Sequence, residues 1–200
     1  MKKIILILFA VLSINTFAQK KVSFGLKGGL NIASLTNSNL DSKLNGYAGV
    51  FLNVAFSDLY EMQPEILYSN QGGKLDINND QTVTIEYFSI GVANNFFVNR
   101  DGKLYLSIVP SIDLDVDDSF IGIVNDNEWE EGNDATFVDL ALGIGLGYRV
   151  NNNLAIEARY KRGLIDVYSG SFHDFEVERY ENETQFNSVF QIGISYRFKK

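Results

Sequence analysis

Apolar and polar residues alternate with a period of two along most of the chain. Between Val138 and Tyr148, every second residue is Val, Leu, Ile or Tyr, and the intervening residues are Asp, Ala or Gly. Because successive side chains of a strand point to opposite faces, this pattern predicts strands with one apolar and one polar face. Eight such segments occur, with approximate bounds 22–33, 45–56, 60–71, 83–97, 103–116, 136–149, 154–167 and 186–198.

The connections between these segments are alternately short and long. The short ones cover residues 57–59, 98–102 and 150–153, and the long ones cover residues 34–44, 72–82, 117–135 and 168–185. Tight periplasmic turns and long extracellular loops are typical of bacterial outer-membrane barrels. The sequence therefore predicts an all-β fold, an eight-stranded antiparallel up-and-down transmembrane β-barrel, with both termini on the periplasmic side.

The first residues have the three parts of a secretory signal peptide. Lys2 and Lys3 are basic, residues 4–12 are an unbroken apolar run, and Thr16-Phe17-Ala18 supplies small residues for cleavage. A run of this length is too short to cross a bilayer as a helix. We expect residues 1–18 to be removed and residues 19–200 to form the barrel in the cell outer membrane.

The mature chain is acidic and contains no cysteine. Removing Lys2 and Lys3 leaves 17 − 2 = 15 basic residues against 25 acidic ones, a formal charge of 15 − 25 = −10. Binding to nucleic acid requires basic patches, so this balance argues against a nucleic-acid partner. A closed sheet in lipid also satisfies its backbone groups without the disulfides that small exported domains often need.

Alternation alone does not say which face of the barrel points outward, so a soluble, lipocalin-like periplasmic barrel that binds a ligand is an alternative. The polar face favours the membrane barrel, because an interior of eight strands has room only for packed side chains. Charges in such an interior must pair with one another. We expect a structural network in the lumen, and no open pore, from the charged residues of the polar face: Glu61, Glu65, Glu157, Arg159, Lys161 and Arg197.

Several segments resemble the PorT-like outer-membrane β-barrel domain family. The segment 24–31, Phe-Gly-Leu-Lys-Gly-Gly-Leu-Asn, resembles its first strand, and Gln63–Ser69 followed by Gly72-Gly73 resembles its third. Leu142–Tyr148 and Glu157–Tyr160 resemble its sixth and seventh strands. The resemblance implies a Gram-negative outer-membrane barrel in contact with membrane lipid. Some members of the family belong to a secretion system, and most have no assigned activity.

The last strand resembles the pattern that the outer-membrane insertion machinery recognises. That pattern is a polar residue, any residue, Gly, two further residues, an aromatic, any residue and a final aromatic. Gln191–Phe198 fits it, with Gly193, Tyr196 and Phe198 at the defining positions. The resemblance implies that this machinery is a partner during assembly.

An acidic segment precedes strand six. Residues 118–134 contain six acidic residues and neither Lys nor Arg. Oxygen ligands of this kind suit Ca²⁺, and the weak candidate ligands are Asp113, Asp115, Asp117 and Asp118. The EF-hand pattern fails, because the twelfth position from Asp113 is Val124. We interpret the segment as a solvated acidic loop that can contact a protein partner, and we expect no metal and no cofactor.

His173 is the single histidine of the chain and lies in the last long connection, beside Asp174. A histidine near a serine and an acid at the rim of a barrel could act as a general base on lipid substrates. Such residues are also ordinary in loops, and adjacency in sequence does not make a triad. The leading hypothesis is therefore a non-enzymatic barrel, structural or partner-binding through its acidic loops, and the alternative is a lipid-modifying enzyme that uses His173.

Overall fold

The structure is a computed structural model that describes residues 21–37, 41–74, 82–98, 100–116, 136–167 and 184–198. Eight strands form in these residues, and each follows one of the alternating segments. They are β1 (Lys21–Leu35), β2 (Asp41–Ser57), β3 (Tyr60–Lys74), β4 (Thr82–Phe97), β5 (Leu104–Asp115), β6 (Val138–Arg149), β7 (Leu154–Gly163) and β8 (Asn187–Arg197). No helix in the described ranges is long and apolar enough to cross a membrane.

The strands pair in chain order and the sheet closes on itself. Every neighbouring pair is antiparallel, and β1 also pairs with β8, for example Gly29 with Gly193. Closure leaves no unpaired sheet edge, so the strands satisfy their backbone groups within the barrel. The predicted eight-stranded antiparallel barrel is confirmed.

The three short connections contain side chains that bind the backbone of the turn. Asn151 Oδ1 accepts hydrogen bonds from the backbone N–H groups of Asn153 and Leu154, both at 2.8 Å. Asp101 Oδ1 accepts one from Lys103 N at 3.0 Å in the turn between β4 and β5. Asn and Asp favour tight turns through such bonds. The short connections, the start of β1 and the end of β8 lie at the same end of the barrel, here called the turn end. The opposite end is called the loop end.

Two strands have one bound that differs by four residues from the expected one. β7 stops at Gly163 rather than near residue 167, because Asp139 Oδ1 accepts hydrogen bonds from the N–H groups of Leu164 at 3.2 Å and Ile165 at 3.1 Å. That carboxylate turns the backbone out of the sheet. β2 begins at Asp41 rather than residue 45, beyond an irregularity of its pairing with β3 between Ser42 and Tyr47.

Burial alternates along every strand, and with few exceptions the odd-numbered residues point into the barrel and are the buried ones. The lumen is mainly polar, and it contains one apolar group toward the loop end. Leu35, Ile85, Tyr87 and Val167 form a buried apolar cluster there, here called the apolar cap. Tyr87 is fully buried, and its hydroxyl accepts a hydrogen bond of 2.9 Å from Asn187 Nδ2.

Candidate functional site

The outer surface of the barrel is apolar and exposed. Phe24, Leu30 and Ile144 are 56%, 56% and 58% exposed, and large hydrophobic side chains face outward on each of the eight strands. A soluble protein does not normally expose a continuous apolar surface of this extent. A transmembrane barrel does expose such a surface, because its outward face contacts the hydrocarbon of the bilayer. In this chain the outward face consists of the even-numbered positions.

Aromatic side chains occupy two levels of this outer surface. Tyr148 and Tyr196 lie near the turn end, where they pair with the first residues of β5 and β7. Tyr68 and Tyr160 lie closer to the loop end, where their register partners include Phe88 and Phe190. Two aromatic belts of this kind mark the two interfaces of a membrane with water.

The middle of the lumen holds four charged side chains in contact, Lys27, Glu65, Glu157 and Arg159, here called the central cluster. Lys27 Nζ donates to Glu65 Oε2 at 2.8 Å and to Glu157 Oε2 at 3.0 Å. Arg159 Nη1 donates to Glu65 Oε1 at 2.6 Å, and its Nη2 lies 3.8 Å from Glu157 Oε2. Two cations and two carboxylates balance, as buried charges require.

Neighbouring side chains complete the hydrogen bonding of the central cluster. The Tyr105 hydroxyl donates to Glu157 Oε1 at 3.0 Å, and the Ser195 hydroxyl donates to the same oxygen at 2.9 Å. Lys27 Nζ also lies 5.4 Å from the centre of the Phe51 ring, within reach of a cation–π interaction. Gly147 is required beside Tyr105, because a Cβ at that position would overlap the phenol ring. The lumen is therefore packed around these charges.

At the turn end, Glu61 contacts two arginines. Arg149 Nη2 donates to Glu61 Oε2, and Arg197 Nη1 lies 3.7 Å from Glu61 Oε1. The Arg149 guanidinium also lies over the Phe97 ring, 4.3 Å from its centre. Glu61, Arg149 and Arg197 line an open cavity of about 590 Å³ at the turn end.

Toward the loop end, Lys161 pairs with Asp113. Their Nζ and Oδ2 atoms are 2.5 Å apart, and Lys161 Nζ also donates to Ser89 Oγ at 3.1 Å. The hydroxyls of Ser89 and Ser111 donate to Asp113 Oδ1 at 2.6 and 3.1 Å. Asp115 is buried two residues farther along β5. Among the described residues, no group of three or more His, Asp or Glu side chains could hold a metal ion.

The predicted site residues fall into separate groups. Glu65, Glu157 and Arg159 meet in the central cluster, whereas Glu61 and Arg197 meet at the turn end, and Lys161 binds Asp113 instead. Asp117, Asp118 and His173 lie outside the described residues.

Arg149 was missing from the expected network, although it pairs with Glu61. The alternation indicates that Arg149 faces the lumen, because it has an odd number, like the polar positions of β6. Arg149 stands at the last position of its strand, next to the turn, where the alternation ends. Lys27 is likewise central to the lumen, and its place on the polar face of β1 was visible in the sequence.

Of the predicted assembly signal, Gly193 and Tyr196 lie within β8 and Phe198 follows its last residue. The Phe198 ring packs 4.7 Å from that of Phe24 and 5.3 Å from that of Tyr196. A Cβ at Gly193 would overlap the Tyr47 hydroxyl, so glycine allows this close approach inside the barrel. These contacts give all three residues a place in the folded barrel, and their role in assembly stays a prediction.

A closed antiparallel barrel with an apolar outer face, two aromatic belts and a lumen full of paired charges is a transmembrane β-barrel. The chain belongs to the outer membrane protein beta-barrel domain family, which its residues 17–169 match. It is therefore a protein of the outer membrane that contacts bilayer lipid. The alternative of a soluble periplasmic barrel is wrong, because the apolar face points outward.

Solved structures of small outer-membrane barrels have a similar fold. The attachment invasion locus protein Ail of Yersinia pestis, in complex with the heparin analogue sucrose octasulfate, is 14% identical with a TM-score of 0.50, covering 90% of this chain and 99% of that one. The Ail structure in a phospholipid nanodisc is 16% identical with a TM-score of 0.49, covering 89% of this chain and 100% of that one. Neisserial surface protein A is 11% identical with a TM-score of 0.49, covering 88% and 97%. No curated protein sequence matches the chain.

Proposed function

We propose that this protein is a non-enzymatic barrel of the PorT-like group, closed to ion flow, whose acidic loops bind a partner outside the cell. In this proposal residues 1–18 are a signal peptide, both ends of the mature chain are periplasmic, and the loop end is extracellular. The observation that carries the proposal is the filled lumen, in which the central cluster occupies the space between the strands.

Three levels of the lumen support the absence of a pore. Above the open cavity at the turn end, the central cluster crosses the barrel from β1 through β3 to β7. The cavity beyond it, lined by Ser89, Ser111 and Lys161 among others, measures about 10 Å³, which is the size of one water at most. The apolar cap then lies farther toward the loop end.

Ion conductance tests the closed lumen. The protein would be extracted from envelopes in detergent and added to a planar lipid bilayer. The potassium chloride concentration would be on the order of 1 M, at which surface charges are screened. We expect no discrete current steps from the protein itself. A 16-stranded porin, which has an aqueous channel, is the positive control and shows that the assay detects an open barrel. Steps of equal size from the unaltered protein would contradict the proposal.

The orientation can be tested with a protease on intact cells. An epitope tag placed after Lys200 should resist digestion until the outer membrane is opened, whereas a tag inserted within 168–183 should be removed at once. The opposite result would place the long connections in the periplasm. A band shift of the unboiled protein on a detergent gel reports that each tagged chain has folded as a barrel.

The acidic composition of residues 118–134 favours a basic partner over an anionic one. Although the Ail structure contains a sulfated sugar, six carboxylates without a cation would repel such a ligand at close range. Fluorescent decalysine is a suitable probe of this charge. We expect binding that weakens when the six acids are replaced by Asn and Gln. Unchanged binding after this replacement would contradict a partner site on this loop.

The proposal gives His173 no catalytic role. A His173→Ala variant should leave the acyl-chain composition of the outer membrane unchanged, as measured by mass spectrometry of extracted lipids. A change in that composition would instead support the lipid-modifying enzyme.

A further inference from the structure

The lipid-facing surface contains a polar patch at the loop end of β7, β8 and β1. Arg162, Ser188 and Ser34 are neighbours in the register of these three strands and all have even positions; Arg162 and Ser34 are half-buried, and Ser188 is buried. Arg162 is the one cationic side chain among the outward positions that the structure describes on β6, β7 and β8. The patch therefore differs from the apolar surface around it.

Arg162 is held in place by its neighbours. Its Nη1 donates a hydrogen bond of 3.2 Å to Ser188 Oγ, and its guanidinium lies 5.3 Å from the centre of the Phe186 ring. The hydroxyls of Tyr160 and Ser188 share a further hydrogen bond of 3.2 Å, in which either can be the donor. The guanidinium is thus oriented before any ligand arrives.

No described acidic side chain pairs with Arg162, whereas the cations of the lumen each have a carboxylate within 4.0 Å. A guanidinium has five N–H donors in a planar fork, and among the described side chains it bonds only to those of Ser188 and Tyr160. A fork with free donors is the group that best fits a phosphoryl or carboxylate anion, which it binds with two parallel bonds.

The patch lies near the loop-end edge of the apolar band, with the exposed Leu164 two residues farther along the chain. From Ser188 to Phe198 is ten residues, or roughly 26 Å across the membrane at about 3.4 Å per residue and a tilt of about 40°. The apolar band of such barrels is about 25 Å tall. Arg162, the register partner of Ser188, is therefore at the depth of the lipid headgroups.

We propose that Arg162, with Ser188 and Tyr160, binds the phosphoryl group of a membrane lipid headgroup. The lipid source is favoured over free phosphate because the patch faces the bilayer, with Leu142 and Phe190 beside it for acyl chains. The proposed orientation of the barrel places this lipid in the outer leaflet. Binding itself does not depend on that orientation, so the inference can fail or hold independently of the proposed function.

Native mass spectrometry of the full chain tests this site. The protein would be extracted from envelopes, exchanged into a neutral detergent, and titrated with dioleoyl phosphatidic acid or with dioleoylglycerol, which lacks the phosphate. We expect phosphatidic acid to bind more tightly, and Arg162→Gln to weaken it by about tenfold or more, the loss typical of a charge-assisted hydrogen bond. Arg100→Gln removes an exposed charge at the turn end and should leave the affinity unchanged.

Three results would overturn the inference: equal binding by Arg162→Gln and the parent, an equal loss in Arg100→Gln, or displacement of the lipid by inorganic phosphate at the same concentration. The last result would identify free phosphate as the ligand. If Arg162→Gln does not fold, Ser188→Ala decides the question, because it keeps the charge and removes its hydrogen-bond partner. A weaker affinity is expected for Ser188→Ala, and an unchanged affinity would refute the site.

Discussion

Replacing Glu65 by Gln should destabilise the barrel strongly, because Glu65 accepts hydrogen bonds from both cations of the central cluster. Its side chain is 2% exposed, and its two oxygens accept from Lys27 and Arg159 at 2.8 and 2.6 Å. Glutamine keeps the volume of the side chain but removes the charge. Two buried cations then share only Glu157.

The magnitude follows from the burial of the partners. Removing one partner of a buried ion pair costs about 3–5 kcal/mol, since the other charge is left uncompensated. Glu157 still accepts from Lys27 at 3.0 Å and lies 3.8 Å from Arg159, so we expect a loss near the lower limit, about 3 kcal/mol. That corresponds to roughly a 150-fold change in the unfolding equilibrium.

Urea unfolding of the barrel in lipid vesicles measures this loss, with far-ultraviolet circular dichroism and the unboiled gel band as two probes. Asp58→Asn is the matched control, because it removes a carboxylate from an exposed turn and should change stability by less than about 0.5 kcal/mol. Coincident transitions from the two probes would justify a two-state analysis.

A compensating variant separates charge balance from packing. Adding Lys27→Met to Glu65→Gln removes one cation together with one carboxylate and leaves Arg159 opposite Glu157. We expect the double variant to recover more than half of the loss. A Glu65→Gln loss below about 1 kcal/mol, or a double variant whose loss equals the sum of the two single losses, would refute the argument.

Three further predictions concern other parts of the barrel. Gly147→Ala should cost about 1–3 kcal/mol of unfolding free energy, because the added methyl overlaps the Tyr105 ring, and urea unfolding would measure it. Ile144→Arg should cost about 2–4 kcal/mol in lipid vesicles, whereas Val150→Arg at the turn end should cost less than about 1 kcal/mol; equal losses would contradict the lipid contact. Phe198→Ala should slow insertion in cells, seen as delayed appearance of the unboiled band after pulse labelling, and normal kinetics would argue against the assembly signal.

The strands could be predicted from the sequence because burial in a barrel follows the same period of two as the side chains. From Tyr60 to Ile66, for example, the apolar residues are even-numbered, and these are the outward positions of β3. The same parity assigns Glu61 and Glu65 to the lumen. Assigning a residue to the lumen or to the lipid face requires only the local geometry of its strand, so the assignment can be made for each strand separately.

The pairing of the lumen charges could not be predicted, because it depends on strand stagger and closure. Lys27 contacts Glu65, which is 38 positions away, and Glu157, which is 130 positions away. Glu61 and Glu65 are four residues apart on one face of β3, yet they belong to different clusters. Alternation specifies which face a residue occupies but not the shear that decides its height in the barrel.

The charged lumen specifies a single strand register, which an apolar lumen would not do. If β7 slipped by one residue, Arg159 and Lys161 would turn from their carboxylates into the lipid. Each cation there costs about 2–4 kcal/mol near the middle of the bilayer, or about 4–8 kcal/mol for the pair. The whole stability of a domain is about 5–15 kcal/mol, so the slipped barrel is not populated. An interior of Leu and Val would face lipid at little cost after the same slip. The ion pairs therefore select one register more than they add stability.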